Sequence, residues 1–105
     1  MQVAPEVKFK DVDRSQWVEA YVGERLEHLE RFAERITSCR VTVTQEQGSR
    51  QKANRYSVMV EVRIPPNRDL AAKKERDILD MQAELPALIN AAFGAIETQV
   101  RRAKQ

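Results

Sequence analysis

The sequence contains a single cysteine, Cys39, so no disulfide can form within the chain. A reducing cytoplasm is therefore the expected compartment, because disulfides are characteristic of secreted domains. No apolar run approaches the roughly 20 residues that cross a bilayer. The N-terminal segment has neither an apolar core nor a cleavage-like pattern. We expect a cytoplasmic protein with no membrane anchor and no export signal.

Residues that carry catalytic chemistry are scarce. His28 is the only histidine, and the three glycines form no phosphate-cradling loop. Neither an HExxH nor a CxxC spacing occurs, and a zinc site would need about four ligands where His28 stands alone. Cys39 follows a predicted helix, where a cysteine more often packs than reacts. The sequence thus predicts a protein that is not an enzyme, with no cofactor, no metal and no small-molecule substrate.

What the chain has is the length of one domain and a nearly even charge. Its 105 residues are expected to form a single domain spanning 1–105. It carries 18 basic and 16 acidic residues, a formal net charge of +2. This balance neither requires nor excludes nucleic acid, because phosphate binding depends on cations clustered on one face.

The apolar pattern predicts six elements in the order strand, helix, three strands, helix. VKFKDV alternates as a first strand, and helical spacing after the capping residue Ser15 predicts a helix to about Ile36. CRVTVTQEQ and RYSVMVEVRIPP alternate as strands on either side of a loop, GSRQKAN. A fourth strand is expected at residues 69–74, and the following KERDILDMQ is ambiguous between a loop and a helical turn. The last helix is expected to begin near residues 84–86, with Pro86 in its first turn and a basic tail that frays.

This order implies an α+β two-layer sandwich, in which a four-stranded sheet carries both helices on one face. The other face is left to solvent or to a partner. Its candidate lining residues are Thr42, Thr44, Met59, Glu61 and Arg63. A monomer is expected, with weak homodimerisation through a strand edge left open, because the charges at Arg50, Lys52 and Arg55 discourage such pairing.

Cations border the apolar stripe of the first helix. At about 100° per residue they fall along one flank, and acidic residues lie further round. This flank consists of Arg25, His28, Arg31 and Arg35. Arg25 lies inside the apolar arc, from which a long side chain can carry its guanidinium to the edge. The flank fits a solvated surface and a nucleic-acid-binding face equally well.

The last helix ends with a second basic set, Arg101, Arg102 and Lys104. The helix dipole favours cations at this end, so these residues also have a purely structural explanation. Two basic sets on neighbouring helices could nevertheless form one surface.

Three segments carry a resemblance to a known family. FKDVDRS, VEAYVGERLEHLERFAERITSCRVTV and YSVMVEVRIPP resemble the ribosome hibernation-promoting factor and ribosome-associated translation inhibitor family, in its short form. The resemblance covers most of the chain and is closest at residues 9–43. It implies binding in the mRNA and tRNA channel of the small ribosomal subunit, with basic helix residues on rRNA phosphates. Arg25, His28 and Arg31 occupy matching positions.

The last helix departs from that family. Ala95 and Thr98 stand where the family usually places Lys or Arg, and Pro86 stands where it places an aromatic residue. Two hypotheses follow. Either the chain binds the small subunit, with the C-terminal basic set acting from one turn later, or it is a protein-interaction module that has lost ribosome binding and uses the open sheet face.

Overall fold

The computed structural model describes residues 4–32, 35–46, 54–66 and 68–104. Its elements are β1 (Glu6–Lys10), α1 (Gln16–Phe32), β2 (Ser38–Glu46), β3 (Asn54–Ile64), β4 (Arg68–Ile78) and α2 (Met81–Lys104). The predicted element order and the α+β class are confirmed. The loop predicted at residues 48–54 lies outside the described residues except for Asn54, which begins β3.

The four strands form one sheet in the order β1-β2-β3-β4. β1 pairs parallel with β2, so α1 is the crossover between them, and the other two pairings are antiparallel. Alternate residues of each strand point toward the helices, as the period of two predicts. The centre of the core is fully buried and draws on the sheet and both helices, including Val22, Leu29, Val41, Val58, Ile89 and Phe93.

The predicted open face of the sheet is confirmed in position. Thr42 pairs with Met59, and their side chains point away from the helix-covered valines on either side of them. Cross-strand ion pairs occupy the rest of this face. Their nitrogen to oxygen distances are 3.6 Å for Arg40 to Glu6, 3.0 Å for Arg55 to Glu75 and 2.9 Å for Arg63 to Asp69.

The predicted end of the fourth strand is wrong, because β4 runs on to Ile78 instead of stopping near Lys74. β3 holds it in register along its whole length, with Asn54 opposite Ile78. β4 is an edge strand, so Lys74 and Arg76 remain exposed although they point to the helix side. Polar residues are therefore tolerated on both faces of this strand, and the amphipathic alternation that marks a strand disappears.

The predicted start of the last helix is also wrong, since α2 begins at Met81. The Asp80 carboxylate caps the helix by accepting hydrogen bonds from the backbone N–H groups of Gln82 at 3.1 Å and Ala83 at 3.4 Å. Glu84 reaches back to accept from the N–H groups of Asp80 and Leu79. These two bonds, that from Asp80 first, hold the pKa of the Glu84 carboxyl below its usual value. Pro86 consequently lies inside the helix, one turn later than predicted.

The first helix ends earlier than predicted. α1 ends at Phe32, and Arg35 lies in a turn rather than in a helix extending to Ile36. Ile36 is still buried, and the Thr37 N–H donates to the Arg63 carbonyl at 3.0 Å, which ties the turn to β3. The basic tail expected to fray is helical as far as Lys104.

Candidate nucleic-acid interface

The two helices run in the same direction along the sheet. α1 returns from the end of β1 to the start of β2, and α2 returns from the end of β4 toward its start. The Gln99 side chain donates to the Ala71 carbonyl at 2.8 Å, which fixes the second half of α2 beside the beginning of β4. The C-terminal ends of both helices therefore lie at one end of the molecule, together with the β3–β4 turn.

This end collects most of the predicted cationic residues. Arg31 lies in the last turn of α1, Arg35 in the turn after it, and Arg101 and Arg102 in the last turn of α2. All four side chains are exposed. Lys104 ends α2, but its side chain lies outside what the structure describes. The structure thus brings the two basic sets together, and we call Arg31, Arg35, Arg101 and Arg102 the basic end.

Arg25 does not belong to this exposed set. Its Nη2 atom lies 3.1 Å from the Glu97 Oε2 atom of α2, and its side chain is only 28% exposed. The guanidinium carbon lies 5.8 Å from the centre of the buried Phe93 ring, a cation–π contact. The long side chain therefore leaves the apolar arc as predicted, but it ends on a carboxylate of the neighbouring helix.

His28 lies at the border of the same contact. Its Nε2 atom is 3.9 Å from Glu97 Oε2, and its side chain is 55% exposed, against 12% for Glu97. Two members of the predicted flank thus converge on one carboxylate oxygen. His28 is therefore more exposed to solvent than Arg25.

Within the described part of the chain, Glu97 is a residue of this site that the sequence reasoning missed. A signal for it existed, because Arg25 inside an apolar arc implies a partner wherever its guanidinium emerges. Glu97 stands directly after the buried Ile96, at the edge of the apolar stripe of α2. Pairing the two would have required knowing that the helices are parallel and in this register.

The two departures in α2 have local explanations. Ala95 is half-buried and packs against the core. The Thr98 hydroxyl donates to the Gly94 carbonyl at 3.1 Å, a common bond for threonine within a helix. Neither side chain offers a cation to a phosphate, so the basic surface of α2 begins only at Arg101.

Other kinds of site find little support in the described part of the chain. No three potential metal ligands lie together there, and neither helix has the apolar length that a bilayer crossing requires. Burial raises the pKa of the Cys39 thiol to about 12, with the Glu61 carboxylate adding to the effect. That thiol is consequently protonated and unreactive at neutral pH.

Comparison with known proteins gives a family and a fold. The model of the family described as Sigma 54 modulation protein / S30EA ribosomal protein matches residues 6–105. No curated protein sequence gives a significant match. The fold is similar to a ribosomal subunit interface protein from Coxiella burnetii, with a TM-score of 0.71, 16% identity and coverage of 95% of this chain and 96% of that one. It is also similar to the Protein Y N-terminal domain from Thermus thermophilus, with a TM-score of 0.60, 22% identity and coverage of 92% and 93%.

Proposed function

The chain belongs to the Sigma 54 modulation protein / S30EA ribosomal protein family, and from this membership we propose that it binds the ribosome in the cytoplasm and keeps it translationally inactive. The resemblance to the hibernation-promoting factors is confirmed by the match. The finer proposal is that the protein occupies the mRNA and tRNA channel of the small subunit. Its partner there is rRNA, contacted through the helices.

The observation that carries the proposal is the basic end. Arg31, Arg35 and Arg102 have no ion-pair partner among the residues that the structure describes. By contrast, the open sheet face binds its own cations in cross-strand pairs. These three arginines lie at one end of a nearly neutral protein, and clustering of cations on one surface is what phosphate binding requires.

Arginine suits this task because its planar guanidinium can donate two parallel hydrogen bonds to one phosphate. Contacts of this kind follow the backbone of a folded RNA and do not read its bases. We therefore propose recognition of rRNA shape by the basic end. Arg25 forms an ion pair with Glu97 and so links α1 to α2.

A sedimentation experiment tests this function. Purified protein is spun with small ribosomal subunits at about 50 and about 200 mM salt, since phosphate binding weakens steeply over this range. We expect comigration at low salt that falls at high salt. The double variant Arg31→Glu/Arg102→Glu should lose comigration at both.

The matched control is Lys10→Glu/Lys73→Glu, which makes the same change in net charge on the open sheet face. Lys10 and Lys73 are both exposed, and Lys73 lies 3.3 Å from Glu75. The control should comigrate like the wild type, apart from a small loss due to overall charge. Equal loss in both variants would reduce the effect to net charge and contradict a site at the helix ends.

A second candidate function rests on Ala95 and Thr98. Because neither residue presents a phosphate-binding group, the chain could have kept the family fold as a protein-interaction module that uses the open face. Such binding would be insensitive to salt and lost in the Lys10→Glu/Lys73→Glu variant instead. The same sedimentation experiment, repeated with the proteins of a cell extract in place of small subunits, separates the two functions.

A further inference from the structure

We propose that Glu97 is an internal competitor for phosphate, which keeps Arg25 and His28 from contributing to RNA binding. This inference rests on the proposed function, because it concerns how strongly the same helix surface holds rRNA. Its basis is the contact between α1 and α2. Two side chains of α1 converge there on one carboxylate oxygen, Glu97 Oε2, at 3.1 Å from Arg25 and 3.9 Å from His28.

A carboxylate oxygen and a phosphate oxygen accept the same charge-assisted hydrogen bonds from a guanidinium. Glu97 therefore occupies the place that a phosphate oxygen would take between the two residues. Its charge also offsets that of Arg25, with which it forms the shorter of the two contacts. An RNA phosphate that approaches α1 here meets no net attraction, and it meets repulsion from the carboxylate.

The arrangement is otherwise well built for an anion. The guanidinium of Arg25 makes a cation–π contact with the Phe93 ring. Its Nε atom is buried without a hydrogen-bond partner among the described residues. Arg25 is thus positioned by Phe93 and Glu97, while His28 borders the solvent. Removing the charge of Glu97, without removing its side chain, should turn this neutral contact into a phosphate site.

The variant Glu97→Gln makes that change, since the amide oxygen can still accept from Arg25. Glu27→Gln is the control, because it removes one negative charge from an exposed position on α1. With small ribosomal subunits, we expect Glu97→Gln to bind roughly tenfold more tightly than the wild type. The slope of log affinity against log salt should steepen by about 0.7 to 0.9 for each phosphate gained. Glu27→Gln should change neither quantity appreciably.

Equal affinity for Glu97→Gln and Glu27→Gln would overturn the inference. Weaker binding of Glu97→Gln would also overturn it, because Glu97 would then be a positioning residue for the site. If even the wild type fails to bind the subunit, the proposed function fails and a second measurement decides the inference. Inorganic phosphate is titrated while the Nε–Hε NMR signal of Arg25 is followed. A shift at lower phosphate in Glu97→Gln than in the wild type supports the inference, and identical titrations refute it.

Discussion

The two faces of the sheet differ in where they place charged side chains. On the covered face, strands and helices bury apolar side chains, and the ion pair between Arg25 and Glu97 lies at its margin. On the open face, cations and carboxylates alternate across neighbouring strands and neutralise one another in solvent. Burial of the first face accounts for most of the stability, because exposed ion pairs contribute little. Arg31, Arg35 and Arg102 of the basic end belong to neither pattern.

The largest contrast should appear in thiol chemistry. Cys39 points into the covered face, whereas its neighbour Ser38 points to the open one. With the pKa of the thiol raised from 9.0 to about 12, alkylation of Cys39 at pH 8 should be roughly 1000-fold slower than that of an ordinary thiol. A Cys39→Ser/Ser38→Cys variant, with its thiol on the open face, should react far faster. Similar iodoacetamide rates would contradict the assignment of faces.

Truncating one side chain on each face should lower the free energy of unfolding by different amounts. Phe93→Ala empties a fully buried position and should lower the free energy of unfolding by about 3–5 kcal/mol. Met59→Ala, on the open face, should cost about 1 kcal/mol or less. Urea unfolding followed by circular dichroism measures both. A cost for Met59→Ala close to that of Phe93→Ala would mean that the open face is covered in solution.

Charge reversal at the margin of the covered face should have an intermediate effect. Arg25→Glu would place a second carboxylate against Glu97, whose side chain is 12% exposed, and should cost about 2 kcal/mol. The double variant Arg25→Glu/Glu97→Arg restores opposite charges and should recover part of this loss. Thermal unfolding of the three proteins checks it. No loss in Arg25→Glu would make the ion pair irrelevant to the fold.

The smallest effect is expected from the open face, and it depends on pH. Hydrogen bonds from Arg55 and Lys73 hold the pKa of Glu75 below its ordinary value of 4.5. A lowered folded-state pKa contributes stability above the ordinary value, and this contribution is lost as the pH falls through the lowered pKa. Glu75→Gln should therefore melt slightly below the wild type at neutral pH and equally at acid pH. A difference that grows in acid would have the wrong sign.

The sequence predicted the parts of the fold that depend on a clear apolar period. The apolar periods of the strands and helices were enough for the element order and for the face that the helices cover. The boundaries that failed are those set by something other than the apolar period. β4 continues through charged residues because β3 pairs with it, and α2 starts at Met81 because Asp80 and Glu84 cap it. The spacing of apolar residues along the sequence reveals neither the pairing with β3 nor the helix cap.

The site was predicted less completely than the fold. The cationic flank was readable from one helix alone, and the exposure of Arg31 and Arg35 agrees with it. The partner of Arg25 was not readable, because Glu97 lies 72 residues further along the chain. An interhelical ion pair depends on how two helices are set against each other, and that relation is fixed by the whole core.

The charges along β4 also affect whether copies of the protein associate with one another. Within the described residues, β4 is an outer strand of 11 residues, long enough to accept a strand from another copy. Residues 73–77, in its second half, read KKERD, so any added strand would have to strip water from five consecutive charges. The charges that hid the end of this strand from prediction are thus expected to oppose edge-to-edge pairing between copies. Disfavoured strand pairing matters most at high protein concentration, where contacts between copies are most frequent.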